Sequence, residues 1–207
     1  MRGLVVGFKA EARIAARLGL VAISGARPDL AASGVKGLIA AGATELLSFG
    51  LAGALATGLM PGDLVIATAV LIGETRHPTD PALTNRLADM LPEAHLGAVV
   101  GSETAVTDAT AKRALNASTG AVAVDMESQA VAAAGLPYTV LRAIADPAER
   151  GLPPAALVGL KPDGGADLVA VLASLLRAPG QLPRLLGVAR ESRTALKALE
   201  RAAARLM

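Results

Sequence analysis

The chain has no cysteine and no tryptophan, and only one tyrosine and two phenylalanines among its 207 residues. Without cysteine there is no disulfide framework, no thiolate nucleophile and no thiolate metal site. With aromatic residues at 1%, the rings on which single-stranded nucleic acid stacks are nearly absent. An excess of one charge is also missing. The formal charge is +2, and the basic residues are spread out except toward the C-terminus, so no nucleic-acid partner is expected. There are two histidines. His77 stands among Glu74, Arg76 and Asp80 with no second histidine nearby, and no metal site is expected. No apolar run is long enough to span a bilayer. The one near the N-terminus is soon interrupted by Lys9 and Glu11, which is too short for a signal segment, and the expectation is a soluble cytoplasmic protein.

What the chain does have is aliphatic bulk. Hydrophobic residues make up 53%, so a core of Ala, Val, Leu and Ile is expected, within a single domain over residues 1–207. Short apolar runs alternate with helical periodicity. Strands are predicted at residues 4–6, 20–24, 44–49, 64–72, 95–102, 120–124 and 138–145, and the run at 64–72 follows the turn signature Pro61-Gly62-Asp63. Helices are predicted at residues 8–18, from Pro28, at 81–91, at 109–117 with Lys112 and Arg113 outward, at 128–134, at 166–176 and at 183–207. Gly50-Leu51-Ala52-Gly53-Ala54 is read as the glycine-rich end of the third strand, where backbone comes close to a ligand or a packed helix. Residues 73–81 are read as a polar loop. The alternation argues for an α/β domain, a three-layer sandwich around a central, largely parallel or mixed β-sheet.

Two acidic positions stand out because they fall at strand ends, where ligands collect in α/β sheets. Val124-Asp125-Met126-Glu127 closes one apolar run, and Asp146 closes another, followed by Pro147, which keeps it out of helical geometry. Taken alone, Glu127 and Asp146 could simply open or cap helices. Ser24-Gly25-Ala26-Arg27 lies between a strand and a helix, a geometry friendly to anions, but it matches no phosphate-loop pattern.

Four pieces in order, Gly7 to Glu11, Gly50-Leu51-Ala52-Gly53 with Pro61-Gly62-Asp63, Val124-Asp125-Met126-Glu127, and Arg142-Ala143-Ile144-Ala145-Asp146, resemble the nucleoside phosphorylase family. That family also contains the methylthioadenosine and S-adenosylhomocysteine nucleosidases. The resemblance covers about residues 3–155 and is greatest to the hopanoid-associated branch. It implies a phosphorylase/hydrolase-like fold, no cofactor, and cleavage of the N-glycosidic bond of a 5′-modified adenosine with release of adenine. The implied substrate is adenosylhopane, with methylthioadenosine or S-adenosylhomocysteine next. It also implies roles. Asp146 would protonate the departing base, Glu11 would orient water, and Met126 and Glu127 would hold the ribose, while Ala52, Gly53 and Val106 would line the base pocket with Asp146.

Departures from the family pattern bear on the nucleophile. Glu11 stands at the spacing where phosphorylases carry an arginine. Leu51 replaces their Ser or Thr, and Gly62 replaces the arginine that many of them carry before the Asp. Water is therefore expected over phosphate as nucleophile. Ser24, Gly25 and Arg27, with Lys9 or Arg76, are the remaining candidates for a phosphate site, and a phosphate-dependent purine nucleoside phosphorylase is the alternative. Ala105 stands where nucleosidases place a ring against the purine, which would leave a wider, apolar mouth. The basic, amphipathic C-terminal helix is read as an outer helix, a homodimer contact, or a surface that touches a membrane transiently around a lipid-linked substrate. A non-catalytic nucleoside- or lipid-binding protein is the reading from a different class.

Overall fold

A computed structural model describes residues 1–153 and 177–207, together with Gly165 and Ser174. The helix predicted at 166–176 lies outside the described residues, as does most of the proline- and glycine-interrupted stretch before it. In chain order the elements are β1 (Arg2–Val6), α1 (Lys9–Ala15), β2 (Leu20–Ile23), α2 (Pro28–Ala40), β3 (Glu45–Ala54), β4 (Leu64–Ile72) and β5 (Thr75–Pro78). They continue with α3 (Pro81–Met90), β6 (His95–Gly101), α4 (Ala109–Thr119), β7 (Ala123–Asp125), α5 (Ser128–Ala132), β8 (Tyr138–Asp146), a single 3₁₀ turn (Pro179–Gln181) and α6 (Leu182–Leu206).

The strands form one mixed sheet in the order β2-β1-β3-β7-β6-β4-β5, with β8 bridging β3 and β4. β1 is parallel to β2 and β3, and β8 runs parallel to β3 but antiparallel to β4. β7 is antiparallel to β3 and parallel to β6, which is parallel to β4. The pairings thus close on themselves through β3, β8, β4, β6 and β7, so the middle of the sheet curls.

Alternating strand residues feed two main cores, as period-2 geometry requires, with a smaller cluster around Leu71, Ala98 and Val100. Val5, Leu46, Val65 and Val140 face one side, where they meet Ala31, Val35 and Leu38 of α2 and Ala130 and Val131 of α5. Leu4, Leu47, Ile66 and Leu141 face the other, where they meet Leu87 of α3 and Ala195, Ala198, Leu199 and Ala202 of α6. These two cores make the chain a three-layer α/β structure with a mixed central sheet.

Helix starts follow their local chemistry. Pro28 and Pro81 sit in the first turns of α2 and α3, and the Asp80 carboxylate accepts the Leu83 N–H. Asp108 accepts the N–H groups of Thr110 and Ala111 at the start of α4.

Three expectations need correction. β3 does not stop at Phe49. It runs through Gly50 to Ala54 because pairing with β8 on one side and β7 on the other satisfies that backbone. Within the polar loop at 73–81, Thr75–Pro78 folds back on β4 as an antiparallel edge strand. His77 stands on that strand, and its carbonyl accepts the Tyr138 hydroxyl at 2.7 Å. Lys112, expected to point outward from α4, is fully buried and is the one buried residue of that helix.

The division of α6 into a buried half and an exposed half can be tested by truncation. Leu199 is fully buried and Leu186 is half exposed. Leu199→Ala should cost about 2–5 kcal/mol in urea unfolding, whereas Leu186→Ala should stay within about 0.5 kcal/mol.

Candidate functional site

A cavity of about 230 Å³ opens where β3, β7 and β8 end. Its walls come from Leu51, Ala52 and Gly53 of β3, Val124 to Glu127 at the end of β7, Ala145 and Asp146 of β8, and the segment from Thr104 to Val106. Phe8, Ala26, Leu152, and Val188 and Ser192 of α6 complete it. Six of the expected residues, Ala52, Gly53, Val106, Met126, Glu127 and Asp146, therefore line one cavity.

Beneath one end lies a buried charge cluster. Arg142 is fully buried, and its Nε donates to Asp125 Oδ2 at 2.9 Å. One terminal nitrogen approaches Glu127 Oε2 at 3.4 Å, and the other donates to Ser48 Oγ. Asp125 uses its second oxygen to accept the N–H groups of Glu127 and Ser128 at 2.8 and 2.7 Å, so the same carboxylate holds the guanidinium and the turn that carries Glu127. Ser24 Oγ donates to Glu127 Oε1 at 2.9 Å.

Glu11 is 1% exposed and lies behind the cavity wall. Its Oε2 accepts the N–H groups of Gly7 and Phe8, both at 2.8 Å, and its Oε1 accepts that of Leu51 at 2.7 Å. The glycines of β3 make room for these groups. A Cβ on Gly50 would stand 2.6 Å from Glu11 Oε1 and 2.8 Å from a nitrogen of Arg142, and one on Gly53 would stand 3.3 Å from both Asp146 oxygens. A register shift between Ala52 and Gly53 sets Gly53 opposite Asp146, and such irregularities re-aim side chains near sites.

Burial dominates the acids' protonation. It pushes Glu11 up to about 7, helped by the nearby Glu127 charge and opposed by Arg142 and the backbone N–H groups. Glu127 is also raised by burial, against the pull of Arg142. Asp146, at the far end, is raised by burial, with the ammonium of Lys112 acting in the opposite direction. Burial pulls the Arg142 guanidinium down, but Asp125, Glu127 and Glu11 together hold it above its ordinary value. A buried acid at each end, both pushed toward neutrality, is an arrangement suited to acid–base work across a bound molecule.

The proposed phosphate residues do not assemble as a set. Ser24 reaches the cluster, but its hydroxyl is engaged with Glu127 and also receives the Ala26 N–H at 3.1 Å. Arg27 is exposed and paired with Asp29. Neither Lys9, Arg76 nor His77 lines the cavity. Among the described residues no group of acids and histidines is placed to hold a metal ion, and no helix is long and apolar enough to cross a membrane.

Several participants were missed by sequence reasoning. Arg142 lay inside a quoted motif but received no role. Phe8, one of two phenylalanines, follows the first strand's glycine directly, and that position was the available signal. Lys112 had none, since a lysine in a short helix is ordinarily solvated.

Comparison with known proteins agrees with this geometry. A family model described as the phosphorylase superfamily matches residues 20–177. Among solved structures, the S-adenosylhomocysteine nucleosidase of Streptococcus pyogenes, in complex with 5-methylthiotubericidin, superposes with a TM-score of 0.67. Identity is 16%, over 96% of this chain and 94% of that one. The 5′-methylthioadenosine/S-adenosylhomocysteine nucleosidase of Helicobacter pylori gives 0.66 at 19% identity, over 97% and 96%. Futalosine hydrolase of Helicobacter pylori gives 0.66 at 18%, over 98% and 96%. No curated protein sequence matches the chain.

The raised Glu11 has a consequence for stability. Its folded-state pKa lies above its ordinary 4.5, so its contribution is fully present below about pH 4.5 and is lost as pH rises through about 7. Urea unfolding should lose up to about 3 kcal/mol from this group across that window. Glu11→Gln should flatten that part of the profile, and a variant profile parallel to wild type would count against the buried acid.

Proposed function

Because the chain belongs to the phosphorylase superfamily, we propose that it cleaves the N-glycosidic bond of a 5′-modified adenosine and releases adenine, with water as the nucleophile. The observation that carries this reading is the cavity with Asp146 at one end and Glu127, over the Arg142 cluster, at the other. Breaking the bond leaves positive charge on the sugar and negative charge on the base. Asp146, protonated, gives its proton to the purine, and Glu127 accepts hydrogen bonds from ribose hydroxyls while its charge faces the sugar cation. Met126 packs on the sugar, and Ala52, Gly53 and Val106 border the base. No cofactor is required.

Charge supports water over phosphate. Among the described residues the cation that acts on Glu11 and Glu127 at the sugar end is Arg142, and that guanidinium is already engaged with Asp125, Glu127 and Ser48. A phosphate dianion needs charge-assisted donors, and Arg27 is committed to Asp29 on the surface. Glu11, with a pKa near neutrality, is suited to take a proton from water once ionised.

For the 5′ substituent we favour a large apolar group, adenosylhopane first and methylthioadenosine or S-adenosylhomocysteine next. Two features support it. Ala105 puts no ring in its part of the wall, and α6 brings Val188 to the cavity. The same helix exposes Leu182 and Leu186 beside Arg184 and Arg190, a surface suited to passing contact with a membrane that holds a lipid-linked substrate.

The test is adenine release from adenosines bearing a 5′-methylthio or a long 5′-alkyl group, in phosphate-free buffer. Turnover should proceed without phosphate, rise with pH as Glu11 ionises through about 7, and favour the longer substituent in kcat/KM. Asp146→Asn should lower kcat by about 10²–10⁴. Absence of free adenine, or unchanged substrate consumption by Asp146→Asn, would defeat the proposal and leave a binding protein.

A further inference from the structure

Lys112 is fully buried, and its ammonium donates to Asp146 Oδ2, to the Pro147 carbonyl at 2.9 Å and to the Arg150 carbonyl at 3.1 Å. An ammonium has three donors, and here each has an acceptor. The Asp146 carboxyl is the ionisable partner this buried amine meets. Among the described residues, Glu191 on α6 and Arg150 in the following segment also act on Asp146. Those two are paired with each other, and the Arg150 side chain is largely exposed. Lys112 is thus the buried cation in contact with Asp146, and it arrives from a helix on which no other residue is fully buried.

We propose that Lys112 positions Asp146: by engaging Oδ2 it leaves Oδ1 for the bound base, and as the adjoining cation it sets the pH above which Asp146 can no longer give up a proton. The inference rests on the reading of Asp146 as the proton donor. In the step itself the O–H bond of Asp146 breaks and its proton goes to a ring nitrogen of the base. The electrons of the breaking sugar–nitrogen bond pass to the base, and the sugar cation takes hydroxide from water, whose remaining proton goes to Glu11. The carboxylate left at Asp146 then lies against the ammonium. Lys112 therefore touches no substrate, but it stabilises the form of Asp146 that proton transfer produces. A purely structural lysine would instead hold the 147–150 segment without altering how Asp146 titrates.

Two variants separate these roles, and both are read by carbon-13 NMR of the Asp146 carboxyl as well as by kinetics. Lys112→Gln keeps a donor but removes the charge, and Lys112→Arg keeps the charge. In Lys112→Gln the Asp146 midpoint should rise by about 1–3 units, kcat should fall about tenfold or more with KM little changed, and the alkaline limb of the rate profile should move to higher pH. Lys112→Arg should restore the midpoint toward wild type. An unchanged Asp146 midpoint in folded Lys112→Gln would overturn the proposal. If neither variant folds, the wild-type nitrogen-15 signal of the Lys112 ammonium decides: it should shift over the pH range in which Asp146 titrates, and a flat signal there is equally fatal. Because these titrations need no turnover, a shifted midpoint without adenine release would reject the glycosidic reading while leaving the control of Asp146 by Lys112 intact.

Discussion

One buried guanidinium answers three carboxylic acids, and much of the molecule is arranged around that shortage of positive charge. Arg142 pairs with Asp125 and approaches Glu127, while Glu11 lies close enough to feel its charge. A buried ion pair gains little net stability over apolar packing, and breaking one by removing a single partner typically costs about 3–5 kcal/mol. The cluster is therefore better understood as something the fold holds in place for its chemistry. Burial, helped by the Glu127 charge, raises Glu11 to about 7, and the cluster's excess of acids disfavours another anion at the sugar end.

Holding such a cluster requires backbone at close range. Three backbone N–H groups reach Glu11, from Gly7, Phe8 and Leu51, which ties the end of β1 to the far half of β3. Asp125 does the same for the β7–α5 turn. Since β3 pairs with both β7 and β8, the acid at each end of the cavity is referred to one strand. The helix α6 seals the opposite core with alanines and Leu199, and the turns before that seal carry Val188 and Ser192 to the cavity. Stability and site are thus linked through one helix, with its packed half away from the opening.

Much of this was legible in the residues. Short continuous apolar runs and turn signatures located most strands, because both faces of the sheet bury aliphatic residues. Acids directly after such runs marked Glu127 and Asp146 for the same reason. What escaped depended on contacts between distant segments. The strand predicted at 44–49 runs on through Gly50 to Ala54 because of long-range pairing. The polarity of residues 75–78 concealed an edge strand. Lys112 escaped most completely, because nothing in α4 indicates that an acid thirty-four positions later will meet its ammonium. Ser24 and Arg27 show the converse: close in sequence, they separate into a buried hydroxyl on Glu127 and a surface pair with Asp29.

The shortage of cations at the sugar end is the central claim, and the identity of the sugar product tests it most directly. Cleavage should be run in excess inorganic phosphate and the product identified by mass spectrometry. A free sugar, with adenine released in equal amount, is the predicted result. A sugar 1-phosphate would contradict the account, since a phosphate ion would then have found at that end the donors that Arg142, already engaged with Asp125, Glu127 and Ser48, is held here to lack.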